Sequence, residues 1–109
     1  MLPQEMQTEL VRGLIEIFRD NLDRIILYGS VARGEESEES DIDIAVVLKS
    51  QLEEETRKKF ISWIAELDLK YERLFSVIDI ENANMEKWGN VLPFYRNIQK
   101  EGIVLWKAA

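Results

Sequence analysis

Two apolar segments of this chain, Arg24 to Tyr28 and Ile42 to Leu48, are joined by a link that begins Gly29-Ser30 and ends at Asp41-Ile42-Asp43. No other stretch constrains the fold as much, because the two ends of the link carry groups that are useful only together. Gly29 permits a sharp turn and lets an anion approach its amide without meeting a side chain. Ser30 adds a hydroxyl donor where a short helix can begin. Asp41 and Asp43 stand at i and i+2, so on a strand both carboxylates turn to one face, about 6.6–6.8 Å apart along the chain. Neither would face a core unpaired, since burying an uncompensated carboxylate costs several kcal/mol. Ser30 leaves the end of the first strand and must meet Asp41 at the start of the second, so neighbouring antiparallel strands are the simplest geometry. A Gly-Ser cradle beside two hard oxygen ligands is the layout of a site that holds a nucleoside triphosphate through its phosphates and a divalent metal, Mg²⁺ or Mn²⁺.

The rest of the chain alternates helix and strand. Leu10, Val11, Leu14, Ile15, Ile17 and Phe18 recur at helical spacing within residues 4–20, which predicts an amphipathic helix ending near Asp20-Asn21. A second helix is expected from about Leu52 to Lys70, its buried stripe marked by Phe60, Ile64, Leu67 and Tyr71. Leu74 to Ile80 reads as a third strand and Asn82 to Gly89 as a helical turn. Pro93 is placed to start a helix and Gly102 to stop it, before a last strand at Ile103–Trp106. The expected fold class is α/β (α+β): a small mixed sheet of about four strands backed by helices, in a single domain spanning 1–109.

Composition narrows the chemistry. The chain has no cysteine and no histidine. This removes disulfide frameworks, Ser-His triads and imidazole metal sites, and leaves carboxylate and metal chemistry well supplied. The N-terminus lacks a basic, then apolar, leader pattern, and no apolar run approaches the ~18 residues of a membrane span, so a soluble, cytoplasmic protein is expected. The net charge is −7, and Glu35, Glu36, Glu38, Glu39, Asp41 and Asp43 crowd one stretch without a base among them. Such a field repels a polyanion unless metal intervenes, which argues against large nucleic acid as substrate.

Gly29 and Ser30, residues 31–40 between, then Asp41 and Asp43 resemble the signature of the DNA polymerase beta type nucleotidyltransferase superfamily. The longer string Leu27-Tyr-Gly-Ser-Val-Ala-Arg-Gly-Glu35 is most similar to the minimal nucleotidyltransferases of prokaryotes, stand-alone domains often paired with a helical HEPN protein as toxin and antitoxin. The resemblance implies the polymerase beta-like nucleotidyltransferase fold. It also implies transfer of a nucleoside monophosphate, AMP from ATP, to an acceptor hydroxyl on a partner protein. Two Mg²⁺ ions would be held by Asp41, Asp43 and a third carboxylate on another strand. Asp79 is the candidate for that third ligand, because it interrupts the apolar run Leu74-Phe-Ser-Val-Ile-Asp-Ile-Glu81; the resemblance implies for it the further role of the base that takes the proton from the attacking hydroxyl. Glu81 is the fallback, since period two puts it on the same face.

Other residues carry two readings. Arg33 either reaches the β or γ phosphate or makes a surface ion pair. Glu35, Glu36, Glu38 and Glu39 read as a solvated loop, or as a surface for a basic partner. Trp63 reads as core, whereas Trp88, Phe94 and Tyr95 suit core or interface equally; Lys49 reads as solvated. Larger superfamily members build the second wall of the cleft with another domain, so the acceptor is expected from a second polypeptide or a second copy of this one. The competing function is a non-catalytic module that binds nucleotide or partner and neutralises the HEPN-type protein by occlusion.

Overall fold

The chain opens with α1, Gln4–Phe18, whose Met6, Leu10, Leu14 and Phe18 form one buried stripe. The computed structural model describes residues 2–35, 37 and 40–109. A 3₁₀ turn at Arg19–Asn21 follows α1 and leads into β1, Leu22–Tyr28, two residues longer at its start than the apolar run suggests. The short helix α2, Gly29–Arg33, and the link after it lead to β2, Ile42–Leu48. Then come α3 (Glu54–Tyr71), β3 (Phe75–Glu81), α4 (Asn82–Trp88), α5 (Pro93–Glu101) and β4 (Ile103–Lys107). Pro93 sits in the first turn of α5 and Gly102 closes it, because proline's missing N–H costs nothing where no intrahelical bond would form.

The strands form one mixed sheet in the order β3-β2-β1-β4. β1 runs antiparallel to both β2 and β4, while β2 and β3 are parallel. Parallel neighbours need a crossover, which α3 supplies. Alternate residues therefore serve two cores. Ile42, Ile44, Val46 and Leu48 of β2 join Ile25 and Leu27 of β1 in the larger one, beneath α1 and α3. Ala45 and Val47 join Ile26, Ile80, Met85 and Ile98 in the smaller one, beneath α4 and α5. Trp63 packs against the larger core, and Gly13 of α1 makes room for it: a Cβ at Gly13 would run into the indole ring. Lys49 is exposed, as its position past the strand implies. Among the described residues no helix is long and apolar enough to cross a membrane.

Candidate active site

Gly29 is where β1 turns into α2, and its φ of 77° lies in the left-handed region that side-chain-bearing residues rarely adopt. Its Cα faces β2 so closely that a Cβ would overlap the Asp43 carboxylate. The Gly-Ser bend and the second aspartate are thus in van der Waals contact, which is the pairing the two ends of the link require. Ser30 follows, half-buried, and its carbonyl accepts a hydrogen bond from the Glu35 amide at 2.9 Å, closing α2 back on itself. Gly34 caps that helix, also at positive φ (73°), with open space around it. With only five residues, α2 has little dipole to offer.

Asp41 is exposed at the head of β2, and Asp43 is half-buried one residue inside it. Burial pushes the Asp43 carboxyl above the ordinary carboxylate range, the charge of Asp41 adds to this, and the Arg33 guanidinium opposes it. The smaller, Asp41 part of that shift reflects a like charge nearby. Tyr28 lies opposite Asp43 in the β1–β2 register, and its phenol is likewise pushed up, by burial first and by Asp43 second. The approach to β2 is pinned by Arg73, whose guanidinium donates to the Ser40 carbonyl at 3.0 Å, and by the Ile42 amide bonding to Leu74 at 2.9 Å.

Arg33 is exposed and pairs with Glu35 at 3.2 Å and with Glu101 of α5 at 3.6 Å. These are the surface ion pairs of one of its two readings, and its charge also acts on Asp43. Glu35 is exposed, as a solvated loop requires, whereas Glu36, Glu38 and Glu39 lie outside the described residues. A cleft of about 230 Å³ opens beside the bend, lined by Tyr28, Gly29 and Arg33 on one side and Phe94, Asn97 and Glu101 on the other. Phe94, 47% exposed, packs edge-on to Tyr28 with ring centroids 6.1 Å apart, so it forms a wall of this cleft. Tyr95 packs on the smaller core, and Trp88 is half-buried under the Lys87 ammonium.

The third carboxylate is where the sequence expectation needs correction. In the parallel β2–β3 register, Asp43 pairs with Ser76, whereas Asp79 pairs with Val46 and Glu81 with Leu48. Paired residues of neighbouring strands share a face, so Asp79 and Glu81 lie on the α1/α3 side of the sheet and Asp43 on the α4/α5 side. Asp79 instead meets Arg57 of α3 at 3.6 Å. The structure brings Gly29, Ser30, Arg33, Asp41 and Asp43 together and leaves Asp79 and its fallback out. Among the described residues no group of three or more acidic side chains is placed to hold a metal ion. Asp41 and Asp43 fit one divalent cation shared with phosphate oxygens; they do not make the three-carboxylate set of a two-ion site. Sequence reasoning passed over Ser76, Asn97 and Arg73. Ser76 carried a signal, being the one polar residue of the alternate set Ser76, Ile78, Ile80; the other two emerge only from tertiary packing.

Residues 13–109 match the family model described as Polymerase beta, Nucleotidyltransferase, and the chain belongs to that family. Two proteins of Methanocaldococcus jannaschii are similar to it in sequence. Putative protein adenylyltransferase MJ0604 is 35% identical over 98 residues, 90% of this chain and 92% of its own. Putative protein adenylyltransferase MJ0141 is 38% identical over 74 residues, 68% of this chain and 75% of its own. Among solved structures, a chain of the toxin-antitoxin MntA-HepT superposes with a TM-score of 0.61 at 18% identity, covering 97% of this chain and 74% of that one. A chain of the tri-AMPylated Shewanella oneidensis HEPN toxin in complex with MNT antitoxin gives 0.62 at 19% identity, covering 96% and 72%. At such identities the likeness is one of fold, and it agrees with the mixed four-stranded sheet described above.

Proposed function

We propose that the chain is a metal-dependent adenylyltransferase that moves AMP from ATP to a hydroxyl of a partner protein, a HEPN-type toxin for which it serves as antitoxin. The observation that carries this reading is the contact between Gly29 and Asp43, which joins a phosphate-binding bend to a metal-binding carboxylate. The two archaeal relatives, named as protein adenylyltransferases, favour ATP and a protein acceptor. The toxin–antitoxin complexes of similar fold favour the HEPN partner.

In this reading the amides of Gly29 and Ser30 and the Ser30 hydroxyl grip the outer phosphates, and Arg33 exchanges Glu35 and Glu101 for phosphate oxygens. Asp41 and Asp43 hold the cation, Mg²⁺ or Mn²⁺. When bound, that ion neutralises charge on the triphosphate and on departing pyrophosphate. It also offsets an acidic field that would otherwise repel the nucleotide. Tyr28 and Phe94 offer aromatic surface beside the phosphates for the nucleoside. The acceptor comes from the open side of the cleft, on a second polypeptide or on a second copy of this chain.

A second reading, neutralisation by occlusion with nucleotide held but not transferred, draws on the missing third carboxylate. One experiment separates the two: incubation with Mg²⁺, a HEPN-type helical protein as the candidate partner, and ATP labelled at either the α or the γ phosphate. Transfer predicts covalent label on the partner from α-labelled ATP alone, lost in Asp41→Ala plus Asp43→Ala. Absence of label with a stable complex that survives the double substitution would favour occlusion. Absence of both label and complex would sink the two readings together.

A further inference from the structure

Moving Asp79 into the site would take a three-residue slip of β3, about 10 Å along the strand. An odd slip exchanges the faces of every β3 side chain. Phe75, 3% exposed in the larger core, would leave it, and Ile80 would leave the smaller one. The packing thus holds the register against any rearrangement that recruits Asp79, and the Arg57 pair adds to it. The residue that this register delivers to the side of Asp43 is Ser76, half-buried at the end of the row Ser76, Ile78, Ile80. A neutral hydroxyl can lend one oxygen to Mg²⁺, but it brings no negative charge and no second oxygen, so it does not offset a second dication as a third carboxylate would.

Resting on the nucleotide-binding reading above, we infer that this chain is a one-cation variant of the site, in which Ser76 occupies the place of the third carboxylate and a single divalent ion, held by Asp41 and Asp43, accompanies the triphosphate. Ser76 is then the residue that sets how many ions the site takes. The test uses the full chain saturated with an ATP analogue carrying a methylene between the α and β phosphorus, titrated with Mn²⁺ and read by loss of the free-ion electron paramagnetic resonance signal. The wild-type protein should saturate at one ion per bound nucleotide. Ser76→Ala and Asp79→Asn should do the same. Ser76→Asp should take a second ion. Two ions on the wild-type protein, or loss of an ion in Asp79→Asn, would overturn the inference while leaving nucleotide binding intact. A Ser76→Asp protein that folds, binds the analogue and still takes a single ion would overturn it as well. Should Ser76→Asp fail to fold, the wild-type, Ser76→Ala and Asp79→Asn stoichiometries decide alone. Failure of the wild-type chain to bind the analogue at any Mn²⁺ concentration would remove the nucleotide reading itself, and this inference with it.

Discussion

Asp43→Asn should sharply reduce nucleotidyl transfer and at the same time raise the melting temperature of the ligand-free protein. The Asp43 carboxyl is held above its ordinary range by burial first and by Asp41 second, against the opposing pull of Arg33. A carboxylate with a raised folded pKa binds protons more tightly in the folded state than in the unfolded one. The folded state is therefore disfavoured as pH rises from the unfolded value, about 3.9, through the folded value, and the full penalty stands above it. Asparagine keeps the shape without the charge. Because the carboxylate is half-exposed, solvent screens it, and the gain at neutral pH should be on the order of 0.5 kcal/mol, or about 2–4 °C for a domain of this size. The difference from wild type should close as pH falls below the ordinary carboxylate range, where both proteins are neutral at this position. Transfer should drop at least ~100-fold, the scale of removing one preorganised electrostatic group. Melting curves across pH and the α-label assay measure the two effects independently. An asparagine variant that melts below wild type at neutral pH would show that Asp43 is held by a stabilising partner, contrary to the causes of its shift.

Part of this site could be read from sequence and part could not. Asp41 and Asp43 stood out because two acids at i and i+2 stand at the head of an otherwise apolar strand. Gly29 and Ser30 were legible too, and their required meeting with Asp41 fixed β1 and β2 as antiparallel neighbours, as found. Helix limits followed from local chemistry at Pro93 and Gly102 and from the spacing of Leu10, Leu14 and Phe18. The face of β3 did not follow. Period two shows that Asp79 and Glu81 share a side, but which side depends on the neighbouring strand and on the helices above it. Both alternate sets of β3 are largely apolar, Phe75 with Val77 and Ile78 with Ile80, so neither pattern declares the larger core. The pairing of Phe75 with Ile42 and the reach of Arg57 from α3 decided the matter, and both are tertiary. The cleft wall at Phe94, Asn97 and Glu101 was hidden for a like reason, since α5 reaches the bend only by folding back across the sheet.

Gly29→Ala should be the most damaging single-methyl change in the site, and Gly34→Ala supplies its control. Both glycines sit at nearly the same positive φ, 77° and 73°. Alanine at either position carries the left-handed backbone cost of roughly 1–2 kcal/mol. At Gly34 nothing lies within 4 Å of the added Cβ, so that cost is the whole effect. At Gly29 the methyl also meets the Asp43 carboxylate, and either the side chain or the bend must shift. Overpacking of this kind adds about 1–3 kcal/mol. Urea unfolding should place Gly29→Ala below Gly34→Ala by that difference, and nucleotide-dependent stabilisation should disappear in Gly29→Ala alone. A double-mutant cycle isolates the contact. With Asp43→Ala in the background, most of the steric part of the Gly29→Ala penalty should vanish, leaving only the tight approach to the Cβ of residue 43, and the backbone part should remain, so the two substitutions should be less costly together than their sum. Strict additivity would mean that Gly29 and Asp43 do not touch in solution, and the joining of phosphate bend to metal carboxylate would lose its physical basis.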